Sequence, residues 1–561
     1  MAIPVSFFDA VPTGAAPLLS ALCDEIDLVR IINERVRFDA VQCTLSPGLR
    51  IKALVINTLC GREPLYRVQE YYADQDISVL LGSEVSAAEL NDDALGRGLE
   101  YLAQSKPGSI YNALALRAAA VHHIDLSCIH FDTTSISVEG AYEESQGLLV
   151  TYGYSKDHRD DLKQFMFGLC TAERIPMVGD VGDGNCSDMT WNGDIISDLR
   201  GKLGDALPKK AIYVADAASV THDNLKAIDE QKLDFVSRLP ARYRLHDELI
   251  EQAWQSDHPW IDVGALSEGT GRAQYRLKDI EAELDERRYR FVVVHSSVLD
   301  ERKKKTWERN LQKERQTQED RLAELSKHAF HCQADAQAAI EDMRKRYKGY
   351  WQCTYDIQAS TEIVKRSQRG RPRKGETPEM QTVYRVQCYV SGWNEAKVER
   401  AIAKLGTFVL ITTLPCPEQA AVEVLKIYKG QEAVETRFRF LKNPQQIGPI
   451  FLKNTDRIEA LAYVFLMALL IYSLLERRVR QNLETKEEAP LVLPGGRKSK
   501  MPTGQMLLVL LSRIQVMIYE EEGRRVHRAL SRLSADAERI IRLAGFDLEI
   551  YVTEKVGKGR K

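Results

Sequence analysis

Apolar and polar residues change their rhythm along this 561-residue chain, and the changes mark out its parts. Over residues 1–125 apolar positions recur at helical intervals in Pro17–Val36, Gly48–Leu59, Pro64–Tyr72 and Asn91–Ala103. Breaks fall at Pro47-Gly48 and Lys106-Pro107-Gly108, which predicts a small helical bundle. From 126 to 220 the rhythm shortens. Ser127–Val138 alternates, Gly147–Tyr154, Gln164–Ala172 and Pro176–Val181 read as short strands, and Trp191–Leu203 reads as a helix. Lys209–Ala215 then reads as a buried strand running into Asp216, so the segment predicts an α/β layer. Residues 221–417 form a long interruption, with strands at Phe291–Ser296 and Tyr384–Tyr389 and a charge-dense helical stretch from Asp300 to Arg346. Residues 418–482 return to helix, first Glu418–Leu441 and then the apolar stretch at 458–478. Residues 483–561 read as a polar linker followed by a final helical region at 506–548, with a possible role in dimerisation.

Composition narrows the class. Hydrophobic content of 44% and charged content of 28% fit a soluble globular protein of several domains. Net charge is −3, so contact with nucleic acid is expected from local basic patches rather than a global excess. The ten cysteines include no CxxC pair, which argues against zinc and suits a reducing cytoplasm. Met1-Ala2-Ile3-Pro4-Val5 has no basic leader region, so no signal peptide is expected. The longest apolar run, Ala460–Leu475, is shorter than the ~20 residues a bilayer span needs and is flanked by charges, so it reads as a core helix and no membrane partner is expected.

Against this background three acids stand out. Asp132 follows the apolar run Cys128–Phe131, and Asp216 ends Ile212-Tyr213-Val214-Ala215. Taken alone, each reads as an ordinary turn or capping aspartate. Glu435 carries a pattern: Tyr428, Gln431, Glu435 and Lys442 fall on one stripe if Glu418–Leu441 is a single helix. Three carboxylates drawn from distant parts of a chain are what a pair of divalent ions needs to cut a phosphodiester. Asp183, Asn185 and Asp188 lie in a glycine-rich turn and read as structural Asx residues.

The spacing Tyr428-x2-Gln431-x3-Glu435-x6-Lys442 resembles the Tyr-x2-Arg-x3-Glu-x6-Lys signature of DDE transposases of bacterial insertion sequences, in the IS-four superfamily, with Gln431 in place of the arginine. Asp132-Thr133-Thr134-Ser135, Tyr152-Gly153-Tyr154-Ser155-Lys156-Asp157-His158-Arg159, Asp161-Leu162-Lys163-Gln164, Gly182-Asp183-Gly184-Asn185 with Asp188, and Val214-Ala215-Asp216-Ala217 resemble the branch named for IS-sixteen-thirty-four. The resemblance covers residues 1–480. It implies an α/β (α+β) architecture: an RNase H-like catalytic domain in two parts, 126–220 and 418–482, interrupted by a large insertion domain. Helical regions lie at either end, and the one at 1–125 would bind DNA ends. It agrees with the spacing of the acids, 84 positions from Asp132 to Asp216 and 219 from Asp216 to Glu435.

The resemblance also implies a reaction. Asp132, Asp216 and Glu435 would hold two Mg²⁺ ions, with Mn²⁺ as a substitute. The enzyme would cut double-stranded DNA at the terminal inverted repeats and transfer the 3′-OH to target DNA. It would work as a homodimer, in a bacterial cytoplasm and associated with the nucleoid. Tyr428, Gln431 and Lys442 would contact phosphate, and Lys156, His158 and Arg159 would border the site. Arg369-Gly370-Arg371-Pro372-Arg373 resembles an AT-hook core fitted to a narrow minor groove. The alternative is a transposase-derived DNA-binding protein without catalysis.

Overall fold

A computed structural model describes residues 5–555 apart from 40, 42, 143–146, 157–158, 267–271, 299–300, 365–376, 417–419, 444–451 and 522–524. His158 and the basic segment with Arg369, Arg371 and Arg373 therefore lie outside the described residues. The chain divides into two compact units. One holds residues 1–240, 283–290 and 411–561, and the other holds 241–282 and 291–410.

The first unit opens with a strand, β1 (Val5–Val11), where only helix was expected. Seven helices follow: α1 (Ala16–Glu25), α2 (Leu28–Arg35), α3 (Pro47–Ile56), α4 (Val68–Ala73), α5 (Ile77–Leu80), α6 (Asp92–Ala103) and α7 (Pro107–His122). Local chemistry sets their starts. Ser46 caps α3 by accepting from the Leu49 amide, and Pro47 takes the first helical position, where its missing N–H costs nothing.

The mixed-sheet layer is β2 (Cys128–Val138), β3 (Lys163–Ala172), β4 (Ile175–Gly182), α8 (Asp188–Leu203), β5 (Ile212–Ala215), α9 (His222–Glu230) and β6 (Asp234–Arg238). In this unit the strands lie in the order β4-β3-β2-β5-β6. β2–β3 and β3–β4 are antiparallel, while β2–β5 and β5–β6 are parallel. The parallel strands need crossovers, and helices α8 and α9 supply them. Gly147–Tyr154, expected as a strand, pairs only through an isolated bridge between Thr151 and Gln164.

The second unit contains α10 (Arg244–Gln255), β7 (Ile261–Ala265), β8 (Gln274–Leu284), β9 (Arg287–Ser296), α11 (Glu301–Lys327), α12 (Gln333–Arg346), β10 (Trp351–Ile363), β11 (Met380–Trp393), α13 (Glu395–Leu405) and β12 (Thr407–Thr412), of which β8, β9 and β12 begin or end in the first unit. β10 and β11 form a long antiparallel ribbon. One face of the ribbon packs on the charged helices through Ala336, Ile340 and Val386, with Phe330, Tyr355 and Ile357 around them. That small apolar face explains why stretches as polar as Glu301–Lys327 and Gln333–Arg346 stay helical.

The chain then returns to the first unit with α14 (Ala421–Lys429), α15 (Glu432–Leu441) and α16 (Thr455–Thr485). The single helix expected over Glu418–Leu441 is thus two, parted at Gly430 and Gln431. Glycine is a poor helix former, and a Cβ at 430 would stand 2.6 Å from the His130 ring nitrogen. α16 is the one described helix long and apolar enough to cross a bilayer. It is buried among β4, α1, α3, α6 and α7, as a core helix.

The last segment is β13 (Leu491–Val492), β14 (Lys498–Ser499), α17 (Gly504–Leu511), β15 (Val516–Glu521), β16 (Arg525–Leu530) and α18 (Ala535–Leu543). The expectation of an all-helical region at 506–548 is corrected here. β15 and β16 pair with each other, and β15 also pairs with β1. That partner lies at the other end of the sequence, out of reach of any local pattern.

Candidate active site

The site begins at the edge between β2 and β5. Their parallel register runs Cys128↔Ile212, Ile129↔Tyr213, His130↔Val214 and stops there. Carried two residues further, it sets Asp216 abreast of Asp132, at about the 4.8 Å spacing of neighbouring strands. Beyond His130 this edge of β2 has no strand beside it, so the backbone next to Asp132 is open to side chains.

Asp216 does cap a turn, as its local sequence alone suggested, by accepting from the Ala218 amide at 3.0 Å. Ser219 and Ser237 both donate to its carbonyl at 2.8 Å, which pins the residue to the end of β6. Asp132 is half-buried. Burial pushes its carboxyl up to about 6, against the pull of the Lys156 ammonium and the Thr133 amide, and the charges of Asp216 and Asp188 add to the rise. Asp216 also titrates above its usual range: its outer edge meets solvent, but its crowded surroundings raise it, and Asp188 adds to the effect.

Glu435 reaches the same region through two ties from its helices to β2. The His130 ring nitrogen pairs with the Ile427 carbonyl at the end of α14, at 2.9 Å. The Gln431 side-chain amide donates to the Phe131 carbonyl at 2.7 Å, one residue before Asp132. Glu435 lies one turn further along α15 and is exposed. The half-buried Tyr428 hydroxyl registers the convergence. Burial raises it, Arg238 lowers it, and the charges of Asp216, Glu435 and Asp132 all raise it. The three acids therefore share one electrostatic neighbourhood around Tyr428.

Other expectations meet a different geometry. Tyr428 belongs to α14 and the remaining stripe residues follow the break, so only Glu435 and Lys442 keep the two-turn relation, with Lys442 at the end of α15. Gln431, expected at a phosphate, is tied to strand β2, and its side-chain oxygen is buried without a protein partner. Arg159 is engaged with Asp161 at 2.8 Å on the surface. Lys156 turns inward: its ammonium donates to the Thr133 carbonyl at 2.8 Å and the Thr133 hydroxyl at 2.7 Å, and pairs with Asp188 at 3.1 Å.

Two further residues stand beside the acids: Asp188, which the sequence reads as a structural Asx residue in preference to a metal ligand, and Arg238, which it does not single out. Asp188 starts α8 behind the Ser187 cap and accepts from the Thr133 hydroxyl at 2.5 Å. Its place in the first turn of a helix after a glycine-rich turn was the only local signal. Arg238, at the end of β6, carried none. Asp183 does act structurally, accepting from the Leu149 amide at 2.8 Å.

Glycines hold the Lys156 loop in place. A Cβ on Gly153 would stand 2.0 Å from the Gly184 carbonyl, and one on Gly184 equally close to the Gln164 carbonyl. Gly153→Ala is expected to cost about 1–3 kcal/mol, the usual range for overpacking. A lowered urea midpoint would show it, and an unchanged midpoint would mean that the two backbones do not pass this closely.

The donor set is of the right kind for a hard divalent ion, all carboxylate oxygen with no thiol or imidazole. As the side chains stand, no group of three acids, histidines or cysteines among the described residues is gathered closely enough to hold an ion. The ammonium of Lys156 lies 4.0 Å from Asp132 and 3.1 Å from Asp188.

Asp132 lies within β2 and Asp216 one residue past the end of the neighbouring β5, so a mixed sheet carries two carboxylates on adjoining elements. The comparisons give the family. The model of the transposase DDE domain matches residues 125–471, and that of a domain of unknown function, DUF4277, matches 13–116. The chain belongs to the DDE transposase family and is a DNA transposase, an enzyme of the nuclease and transferase type; the family generally works with divalent metal ions. A cryo-EM structure of the piggyBac transposase synaptic complex with hairpin DNA is similar at 10% identity and a TM-score of 0.35, over 88% of this chain and 79% of that one. No curated protein matches the chain.

Proposed function

We propose that this transposase cuts double-stranded DNA at the inverted repeats ending an insertion sequence and joins the freed 3′-OH to target DNA. Asp132, Asp216 and Glu435 are its catalytic acids, and the IS-sixteen-thirty-four-like branch is its place in the family. The observation that carries the reading is the tie of the α14–α15 junction to β2, where Gln431 donates to the Phe131 carbonyl one residue before Asp132; the β2–β5 register, carried two residues past its last pair, supports it by bringing Asp216 toward Asp132. The strand order β4-β3-β2-β5-β6, with one antiparallel half and one parallel half, supports an RNase H-like catalytic domain. In this reading the second unit is an insertion between the second and third acids, and the 1–125 region binds the DNA ends.

Asp132, Asp216 and Glu435 would hold Mg²⁺, which supplies an activated water and a stabilised leaving oxygen when bound. The chain's own residues do the rest. Asp132 sits on β2, and Asp216, one residue past the end of the neighbouring β5, is held by the Ser219 and Ser237 hydroxyls on its carbonyl. His130 and Gln431 fix the α14–α15 junction on β2 and thereby fix the approach of Glu435. Tyr428 and Lys442 flank Glu435 and would steady the phosphate next to the cut, Lys442 as a point charge. Gln431 works as a brace to β2, in place of the phosphate contact that an arginine there would make. The enzyme would act as a homodimer on DNA, in the cytoplasm with the nucleoid.

Strand cleavage and joining on a DNA fragment carrying the element's own ends, in Mg²⁺, tests the proposal. Wild type is expected to cleave, and Glu435→Ala to lose cleavage while still binding the fragment. Binding without cleavage by either protein would favour the non-catalytic alternative. Cleavage surviving in Glu435→Ala would displace Glu435 from the site.

A further inference from the structure

We propose that Asp188 is a fourth carboxylate of the metal site and that Lys156 is its placeholder cation, filling the site until a divalent ion displaces it. The inference deepens the proposed function and rests on its metal site. Its starting point is that the Lys156 ammonium spends its donors among the acids. It donates to the Thr133 carbonyl and hydroxyl, pairs with Asp188 and stands 4.0 Å from Asp132. The Thr133 hydroxyl relays the contact by donating to the other Asp188 oxygen. Lys156 is thus held on the unpaired edge of β2, beside the residues that would take the ion.

Asp188 is as firmly placed as the other acids. Ser187 caps α8 through the Thr190 amide, and Asn192 donates to the Asp188 carbonyl at 2.8 Å. Asn192 in turn accepts from the Tyr213 hydroxyl at 2.9 Å. Tyr213 is a buried residue of β5, three positions before Asp216. The start of α8 and the end of β5 are therefore one rigid piece, and Asp188 faces the same Lys156 and Asp132 as Asp216 does.

Charge supplies the reason for exchange. One ammonium offsets a single charge among Asp132, Asp188 and Asp216, whereas a divalent ion offsets two and accepts several oxygens at once. Lys156 keeps the carboxylates from repelling one another while the ion is away. Its loop is anchored where the Ser155 and Ser135 hydroxyls accept from the Arg159 and Lys156 amides, at 3.1 Å each. The side chain can swing away without moving the acids.

Mn²⁺ binding to the full-length protein without DNA, followed by calorimetric titration and by thermal melting with and without the ion, tests this. Asp188→Asn is expected to weaken Mn²⁺ binding about tenfold or more, the scale of losing a supporting group at a metal site. Lys156→Gln is expected to do the opposite: to lower the melting temperature of the metal-free protein, to bind Mn²⁺ several-fold more tightly, and to regain wild-type melting once loaded. Tighter binding cannot arise from a damaged fold, so this arm stands even if Asp188→Asn folds poorly. Asp216→Asn separates the two readings. If it abolishes Mn²⁺ binding while Asp188→Asn and Lys156→Gln leave it unchanged, this inference falls and the metal site stands. If Asp216→Asn changes nothing, the metal site itself falls.

Discussion

Asp132→Asn is expected to cut strand cleavage by about a thousandfold, on the scale of removing one preorganised charged group, and yet to melt higher than wild type in metal-free buffer at pH 7. Both effects come from the same burial. Asp132 titrates at about 6 in the folded protein, against an ordinary value of 3.8, chiefly because burial penalises its charge. A folded-state value above the unfolded one means that the folded protein holds this proton more tightly. The stability it contributes is full below pH 4 and is lost as pH rises through 6. At one pKa unit to 1.36 kcal/mol, the loss at neutral pH is about 3 kcal/mol at most, reduced because a quarter of the side chain meets solvent. Asparagine removes the charge and with it the loss. The melting advantage should be largest above pH 6 and absent at pH 4, and added Mn²⁺ should reverse it by stabilising wild type alone. An asparagine variant that melts lower at pH 7 without metal would overturn this account of Asp132.

Glu476→Ala is expected to cost about 3–5 kcal/mol, the range for breaking a buried ion pair on one side only. Arg437 and Glu476 are each 1% exposed and meet at 2.9 Å, and Arg480 meets the same oxygen at 2.9 Å. The other Glu476 oxygen accepts from the Gly504 amide at 2.8 Å. Burial pushes this carboxyl up, but the two guanidiniums outweigh it and hold it below its usual range. Alanine would leave both guanidiniums buried without a counter-charge, and the Gly504 amide without an acceptor. By contrast, Glu34→Ala, which removes an exposed partner of Arg30, should leave the denaturation midpoint nearly unchanged, because water screens the pair. Equal losses in chemical denaturation would contradict the burial argument. Arg437 sits two residues after Glu435 on α15, so the effect on cleavage should follow the effect on folding.

The sequence and the structure part company at particular residues. Asp132 and Asp216 were legible because each ends an apolar run, and a sheet presents the ends of such runs together. Glu435 was legible through its spacing to Lys442, which survives because Glu435 lies on α15 and Lys442 caps its C-terminus in helical conformation. Tyr428 fell off the stripe because the helix is interrupted at Gly430 and Gln431, where the His130 ring packs against the glycine and Gln431 is tied to β2. Asp188 reads as an Asx residue of a glycine-rich turn because its partners, Thr133 and Lys156, are 55 and 32 positions away, and nothing local states that α8 begins beside β2. Lys156 was noticed, but its direction was not: a lysine in a polar loop reads as facing solvent unless the acids behind it are known. The β15–β16 hairpin was missed for the same reason of distance. Its short strands are stabilised by β1, and no periodicity in 516–530 refers to residues 5–11.

The pairing of β1 with β15 sets a schedule for synthesis. Val11 pairs with Val516, so the first strand leaves the ribosome 505 residues ahead of its partner. At 5–20 residues per second the wait is roughly 25 to 100 s. Through that interval the nascent chain carries an unpaired strand edge next to folded helices, a place where strands of other chains can add. Chains arrested before residue 516 should therefore be cut by protease within Val5–Val11, whereas finished chains should not.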